Sequence, residues 1–475
     1  MPEQVYTPSP QVLTPRRVAW GALIALALLF GILQLWVPAK FFIFGIMLIA
    51  GVLFTLTRPY FGLLFFYFVH VIRPAELYPK LEAIGIERIV GGFFILSFVI
   101  VSLIREGKVR IVTHPILWAI LGFFGVMVIS AVFSVEKSLS LEHCINYIKS
   151  IILVLLLIHV VDTPAKFRGF VWWHIILMGY IAISSLIAYM TGNVITAQGI
   201  TRIKSLTSAA GDPNSLAATM DITLPFVFLL FRHEKNRFLK YFLLALGGAM
   251  IYVVILSGSR GGLLGMLAAF FLMWLVSDRK IVYAMSFAVV AAVLINVMPA
   301  QYIERYSTIG AYAEGGEIDA SSNERLEAWE AGRSMFYDHP LLGVGAGAFG
   351  WAHGEYYSPK FKRVTLKAHS MYFQLIGELG VIGVLAFGTL LYFTYRELKR
   401  LRHRLRSLGD WPERSWYDSA CLATIFTITV IFVTGIFSHS LYRGQWLLAG
   451  ALAITMGRAL DWMKEQRNAS AVRKG

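Results

Sequence analysis

Long apolar runs, separated by short polar or basic segments, follow one another along most of the sequence. A run of about 20 residues is long enough to cross the ~30 Å hydrocarbon core of a bilayer as a helix. The run at 61–72 is short for this purpose and also fits a half-span or a re-entrant segment. The pattern predicts an all-α, polytopic bundle of about 12–14 transmembrane helices. The candidate spans are 18–36, 41–56, 61–72, 89–104, 116–133, 148–161, 170–190, 215–231, 241–256, 263–276, 281–298, 371–395, 420–437 and 445–459.

One long polar stretch interrupts this pattern before residue 371. Its loop has about 70 residues, and a loop of that length is either functional or disordered. Residues 321–329 combine cap residues with a helical pattern, and residues 338–349 combine a helix stop with a Gly-rich turn, so the loop is predicted to be partly helical. The predicted domains are a tail at 1–17, transmembrane helices at 18–298, the loop at 299–369, further transmembrane helices at 370–460 and a tail at 461–475.

The charges of the short loops predict the orientation of the bundle. Basic residues concentrate in alternate loops, such as 232–240 and 396–406, and in both tails. Cytoplasmic loops carry an excess of Lys and Arg, so both termini are predicted to be cytoplasmic and the loop at 299–369 to lie outside. The other outer loops are then 36–40, 73–87, 134–146, 191–214, 256–262 and 438–444.

The composition agrees with a membrane protein, since 57% of the residues are hydrophobic and only 15% are charged. The net charge of +15 does not indicate nucleic acid, because the basic residues lie in short loops where they set topology and contact membrane lipids. Cys144 and Cys421 are predicted near opposite faces, which argues against a disulfide, and there is no Cys/His pattern for zinc. The first span lacks a cleavage site and is predicted to be retained.

Arginines in two segments of the sequence could bind an anion. Arg260 stands among small residues at 257–262, where a guanidinium and free backbone N–H groups suit phosphate oxygens; a tight turn with one snorkelling arginine is the alternative. Arg325 and Arg333 are eight residues apart on the predicted loop helix, hence roughly on one face. A solvated helix, with the neighbouring glutamates as their partners, is the alternative for this pair.

His369 begins the span after the loop, next to Lys367, and could be a general base or an interfacial side chain. Asp212, followed by Pro213, is typical of a helix cap, and Arg202 and Lys204 in the same loop could attract an anion. The glycines at 343, 345 and 347 do not indicate a phosphate loop, because no strand precedes them and the Walker lysine is missing.

Taken in order, these segments resemble the O-antigen ligase and O-antigen polymerase superfamily of bacterial membrane glycosyltransferases. The similarity extends from about residue 212 to the C-terminus, and Ser370 stands where the family often has Asn after the motif histidine. The segments that carry the resemblance are Ser257-Gly258-Ser259-Arg260-Gly261, Arg325 with Trp329, His339-Pro340-Leu341-Leu342-Gly343-Val344-Gly345-Ala346-Gly347, and His369 followed by Tyr372, Gln374, Glu378, Leu379 and Gly380.

The resemblance implies a GT-C type fold in the bacterial inner membrane, with residues 299–369 forming a periplasmic catalytic loop. It implies an undecaprenyl-diphosphate-linked glycan as donor, a lipid A-core sugar or another glycan or protein as acceptor, and inverting transfer without a metal or other cofactor. Arg260 and Arg325 would bind the diphosphate, and His369 would activate or orient the acceptor. The further residues expected to contact substrate are Arg333, Arg202, Lys204, Lys367, Tyr372 and Asp212.

The sequence leaves several alternatives open. A polymerase would use the same donor chemistry with a second lipid-linked repeat as acceptor. Residues 211–225 and 257–262 are also similar to a subgroup of O-glycosylation ligases associated with exosortase systems, which would make the acceptor a protein or another surface glycan. A transporter or flippase is less favoured, because the polar clusters lie at the outer interface and not at mid-membrane. A purely structural scaffold would leave the outer arginines unexplained.

Overall fold

The structure is a computed structural model that describes residues 57–77, 85–108, 111–197, 200–206, 211–297, 300–303, 320–358, 365–407 and 413–472. Residues 59–475 form one compact unit, which is the unit considered below. The predicted spans at 18–36 and 41–56 lie outside the described residues, as do positions 304–319 of the long loop.

The described residues are almost entirely helical, which confirms the all-α prediction. The helices of the first half are α1 (Pro59–Ile72), α2 (Pro74–Leu77), α3 (Ile86–Glu106), α4 (Pro115–Val132), α5 (Lys137–Val160) and α6 (Pro164–Met190). Strands β1 (Ile195–Ala197) and β2 (Ile200–Arg202) then pair antiparallel in a small hairpin. The later helices are α7 (Pro213–His233), α8 (Arg237–Leu256), α9 (Arg260–Leu275), α10 (Lys280–Val297), α11 (Ala320–Asp338), α12 (Phe349–Ala352) with a π-helical turn (His353–Tyr357), α13 (Met371–Ser407), α14 (Arg414–Gly435) and α15 (Gln445–Val472).

Seven of these helices, α4 to α8, α13 and α14, are long and apolar enough to cross a membrane, so the chain is a multi-pass membrane protein. Shorter apolar helices among the described residues coincide with the predicted runs at 61–72, 89–104, 263–276 and 281–298. Several helices extend beyond their apolar runs. Helix α5 begins at Lys137, inside a predicted loop, and α13 continues through the basic segment to Ser407.

Helix α7 lies at the centre of the bundle, since 83% of its most apolar 18-residue stretch is buried inside the protein. Pro225 interrupts its hydrogen bonds because proline lacks an N–H, and Thr427 of α14 donates to the Ile222 carbonyl beside it at 2.6 Å. Helix α9 packs closely on α7, since a Cβ added to Gly262 would lie 2.6 Å from the Cβ of Ala217. The N-termini of α7 and α9 are thereby fixed close together.

The long loop folds onto the start of α13. Helix α11 and the Gly-rich turn share a small apolar core that includes Ala328, Met335 and Val344. The turn then pairs with α13 through backbone hydrogen bonds, from Val344 N to the Gly377 carbonyl at 2.8 Å and from Val381 N to the Pro340 carbonyl at 2.8 Å. Helix α13 accommodates this pairing with a break at Gly380, whose φ is 60°.

Candidate functional site

Arg260 is the first residue of α9, and the local sequence holds it in place. Ser259 caps the helix by accepting a hydrogen bond from Gly262 N at 3.1 Å. The Arg260 side chain is nearly buried and donates to Ser322 Oγ of α11 at 3.3 Å. The structure thus joins the predicted anion-binding turn to the beginning of the long-loop helix.

Arg325 lies one turn further along α11. Its guanidinium carbon is 5.8 Å from the centre of the Phe437 ring, which follows α14. A Cβ added to Gly261 would lie 2.9 Å from Phe437 Cβ, so this phenylalanine also touches the start of α9. On the next turn of α11, Trp329 stacks on Phe373 of α13 at a centroid distance of 5.4 Å. These contacts bring α9, α11, α13 and the end of α14 together at one end of the bundle.

His369 precedes α13 and has an unusual backbone. Its φ is 48°, in the left-handed region that non-glycine residues rarely occupy, and such strain concentrates at functional sites. Burial, Arg325 and Lys367 lower the pKa of His369, while Asp212 raises it. The net lowering keeps the imidazole neutral at pH 7, which is the form that can accept a proton.

Asp212 caps α7, as the sequence predicts for an Asp before Pro213. It accepts hydrogen bonds from Asn214 N at 2.9 Å and from Ser215 N at 3.1 Å, and also from Ser215 Oγ. Burial raises the pKa of Asp212, but the Ser215 hydrogen bonds and nearby Arg443 and His439 outweigh it, and the pKa falls below its ordinary value. The carboxylate therefore remains charged beside a group of cations.

Arg202 and Lys204 have different surroundings. Arg202 is buried, and it donates from Nε to the Ser257 carbonyl at 2.5 Å and from its guanidinium to Asn214 Oδ1 at 2.8 Å. It therefore braces the turn before Arg260 against the start of α7. Lys204 is half-buried two residues after the β-hairpin.

Lys367 and Tyr372 also have different surroundings. Lys367 is exposed and acts on both His369 and His439 electrostatically. Tyr372 is 39% exposed, and its hydroxyl donates to the Phe432 carbonyl at 2.9 Å.

The structure does not bring Arg333 together with Arg325. Arg333 is exposed, and its guanidinium lies 2.6 Å from both carboxylate oxygens of Glu330, the surface pairing that the alternative hypothesis described. Eight residues at about 100° each leave Arg333 about 80° around the helix from Arg325, which explains the separation.

Two residues of the site were missed in the sequence, and both belong to the turn between α14 and α15. The His439 ring lies 5.9 Å from the His369 ring in a T-shaped arrangement. Arg443 donates to the Ser215 carbonyl at 3.5 Å and to Ser215 Oγ. The available signal was a predicted outer loop, 438–444, that places a histidine and an arginine directly between two spans.

The assembled cluster contains four cationic side chains around two imidazoles and one carboxylate, drawn from five separate segments. Such a cluster can bind an anionic group and can accept a proton from a neighbouring hydroxyl. Within the described ranges, no group of His, Cys, Asp and Glu side chains could hold a metal ion. The cationic members are Arg260, Arg325, Lys367 and Arg443.

No curated protein matches the sequence. The O-antigen ligase family model does match, over residues 245–388. The matched range contains Arg260, Arg325 and His369, whereas Asp212, His439 and Arg443 lie outside it. Members of the superfamily are membrane glycosyltransferase-like enzymes, ligases or polymerases. This domain supports membership of the chain in the O-antigen ligase superfamily.

Proposed function

We propose that the protein is a ligase-type membrane glycosyltransferase. In this proposal it moves a glycan from undecaprenyl diphosphate to a lipid A-core sugar or a related acceptor at the periplasmic face of the bacterial inner membrane. The observation that carries the proposal is the convergence of Arg260, Arg325 and His369, from three separate segments, at one end of the bundle. This convergence combines an anion-binding pair with a neutral base.

The reaction is a single displacement at the anomeric carbon. The acceptor oxygen forms the new glycosidic bond while the bond to the diphosphate oxygen breaks, and the electron pair leaves with the diphosphate. Arg260 and Arg325 stabilise the charge that grows on the diphosphate, and His369 takes the proton from the acceptor hydroxyl. The displacement inverts the anomeric centre.

The remaining candidates receive different roles from their surroundings. Lys367 adds positive charge near His369, and Asp212 balances part of that charge. Arg202 braces two turns of the site and makes no direct substrate contact in this proposal. Arg333 pairs with Glu330, and the Tyr372 hydroxyl bonds to the Phe432 carbonyl. The proposal assigns no role in the displacement to these two residues or to Lys204. The proposal is metal-independent because the four cationic side chains supply the positive charge that the leaving diphosphate needs.

The decisive experiment is deletion of the gene, followed by gel analysis of surface glycans and extraction of lipid-linked intermediates. Loss of a ligase should leave long glycan chains on the lipid carrier and remove them from the cell surface. Loss of a polymerase should instead leave single repeats on the carrier. Unchanged surface glycans and carrier-linked material would rule out both activities.

Complementation of the deletion strain tests the three residues. Arg260→Ala, Arg325→Ala and His369→Ala should each fail to restore surface glycan although the proteins insert at normal abundance. Arg279→Ala is the matched control, since Arg279 is exposed beyond the opposite end of α9, and it should complement fully. Wild-type laddering in the His369→Ala strain would remove the proposed base.

A further inference from the structure

The 438–444 turn between α14 and α15 is fixed from several sides. Leu441 N donates to Gln374 Oε1 of α13 at 3.4 Å, and the Trp446 indole donates to the Ser440 carbonyl at 3.1 Å. The Tyr442 ring lies 4.5 Å from the His143 ring of α5. Arg443 ties the turn to the start of α7 through Ser215. These contacts hold the turn against α5, α7 and α13.

His439 occupies the side of this turn that faces His369. The two rings are perpendicular, with an interplanar angle of 81° and 5.9 Å between centroids. His439 Nδ1 is buried, and it has no hydrogen-bond partner among the described residues. Burying an imidazole nitrogen without a partner is destabilising, so a purely structural ring would be better replaced by an apolar one. The unsatisfied nitrogen points to a ligand that completes it.

The charges around His439 keep it neutral. Burial, Arg443, Lys367 and His369 all lower its pKa, to about 4, while Asp212 opposes them. A neutral imidazole can donate or accept a hydrogen bond with a hydroxyl, but it adds no charge for a diphosphate. This separates His439 from the arginines and groups it with the acceptor side of the site.

We propose that His439 contacts the acceptor, by a hydrogen bond between its ring and a hydroxyl of the incoming sugar, next to the hydroxyl that His369 deprotonates. Two neutral imidazoles at right angles would then fix the acceptor sugar in the orientation that displacement requires. This inference rests on the proposed glycosyl transfer and assigns a residue outside the matched O-antigen ligase domain to acceptor binding.

The test uses the purified full-length protein in lipid nanodiscs, with an undecaprenyl-diphosphate-linked glycan as donor. Rough lipopolysaccharide, which ends in the lipid A-core, serves as acceptor. His439→Leu should raise the KM for this acceptor ~10-fold, since one lost hydrogen bond of about 1.4 kcal/mol is tenfold. The Kd for undecaprenyl diphosphate, measured separately, should stay within about twofold of wild type, because no donor contact is lost.

His439→Asn is the matched variant, because its amide keeps a hydrogen-bonding group near the position of Nδ1. Its acceptor KM should be close to the wild-type value. If His439 only filled space, the Leu variant should instead have the KM closer to wild type. If the Leu side chain prevents folding, His439→Ala replaces His439→Leu in the same KM measurement.

A wild-type acceptor KM in the folded Leu or Ala variant would overturn the inference, as would a defect confined to undecaprenyl diphosphate binding. Either result would leave the proposed transfer standing, provided that His369→Ala is inactive in the same assay. Absence of transfer by the wild-type protein would instead overturn the proposed function together with this inference.

Discussion

At the scale of single residues, the surroundings of His369 predict how activity depends on pH. Burial, Arg325 and Lys367 lower its pKa below the ordinary 6.5, with Asp212 opposing. A base must be neutral, so transfer should be independent of pH near 7 and should fall as the pH drops through the lowered pKa. The measurement is kcat/KM from about pH 4 to 8, which reports the ionisation of the free enzyme.

Lys367→Gln provides the internal check on this profile. Because Lys367 is one of the cations that lower the pKa of His369, its removal should move the acid limb toward higher pH. His439 has a pKa of about 4 and should contribute only at the most acidic end. An acid limb centred above 6.5, or one that Lys367→Gln shifts downward, would contradict His369 as the base.

The sequence pointed to some members of the candidate cluster and missed others for a physical reason. Arg260, Arg325 and His369 stand in segments whose order along the chain resembles that of the O-antigen ligase and polymerase superfamily. His439 and Arg443 join the candidate cluster only because the turn between α14 and α15 lies beside the start of α7 and His369, and no local pattern records these contacts. Helical spacing predicts Arg333 on roughly the same face as Arg325, whereas the structure has it exposed and paired with Glu330, about 80° around the helix.

At the scale of elements, the Gly-rich turn shows why the glycines are needed there. Gly343 has φ +66°, and a Cβ added to it would lie 2.2 Å from the backbone carbon of Glu378. Gly345 N donates to the Glu378 carbonyl at 3.1 Å, and Gly347 N donates to Glu378 Oε2 at 2.8 Å. The turn therefore attaches the loop to α13 by close backbone approach, and it binds a protein carboxylate where a phosphate loop would bind a phosphate.

Gly343→Ala should accordingly destabilise the protein by at least about 1–3 kcal/mol, the cost of a strained backbone, with the steric overlap in addition. The matched control is Gly388→Ala on the same helix that receives the turn, because a Cβ at Gly388 meets nothing within 4 Å. Thermal unfolding in detergent measures the difference. Equal melting temperatures for the two variants would show that the loop is not anchored through this turn.

Hydropathy predicted the presence of the helices better than their ends. Helix α5 starts at Lys137 because Glu136 caps it by accepting from Ser138 N, and its first turns are polar although they are helical. Helix α13 continues to Ser407, beyond the apolar run that ends at residue 395, because helical backbone hydrogen bonds also form between polar residues. The β-hairpin at 195–202 has strands of three residues, too short to leave a periodic signal.

At the scale of the whole molecule, the described charges divide between the two ends of the bundle. The candidate site lies where α7, α9 and α13 begin. The opposite end carries ion pairs that Arg232 forms with Asp278, Arg402 with Asp418 and Arg404 with Asp461. By the positive-inside rule we expect the end with these basic residues to be cytoplasmic and the site to be periplasmic.

Labelling with a membrane-impermeant maleimide tests this orientation. Cys144 and Cys421 are both free and buried, and a background with both changed to Ala leaves single introduced cysteines as the targets. Tyr337→Cys, at a residue that is 71% exposed on α11, should react in intact spheroplasts. Ser407→Cys, at the exposed end of α13, should react only after lysis.

The reverse labelling pattern would have a specific consequence. The side-chain cluster would be unchanged, because it follows from contacts within the bundle, but its substrates would have to come from the cytoplasmic leaflet. A ligase that needs a periplasmic acceptor would then be excluded, even if Arg260, Arg325 and His369 each proved essential. Orientation and site geometry are therefore independent requirements of the proposed function, and only spheroplast labelling of Tyr337→Cys without labelling of Ser407→Cys satisfies the first.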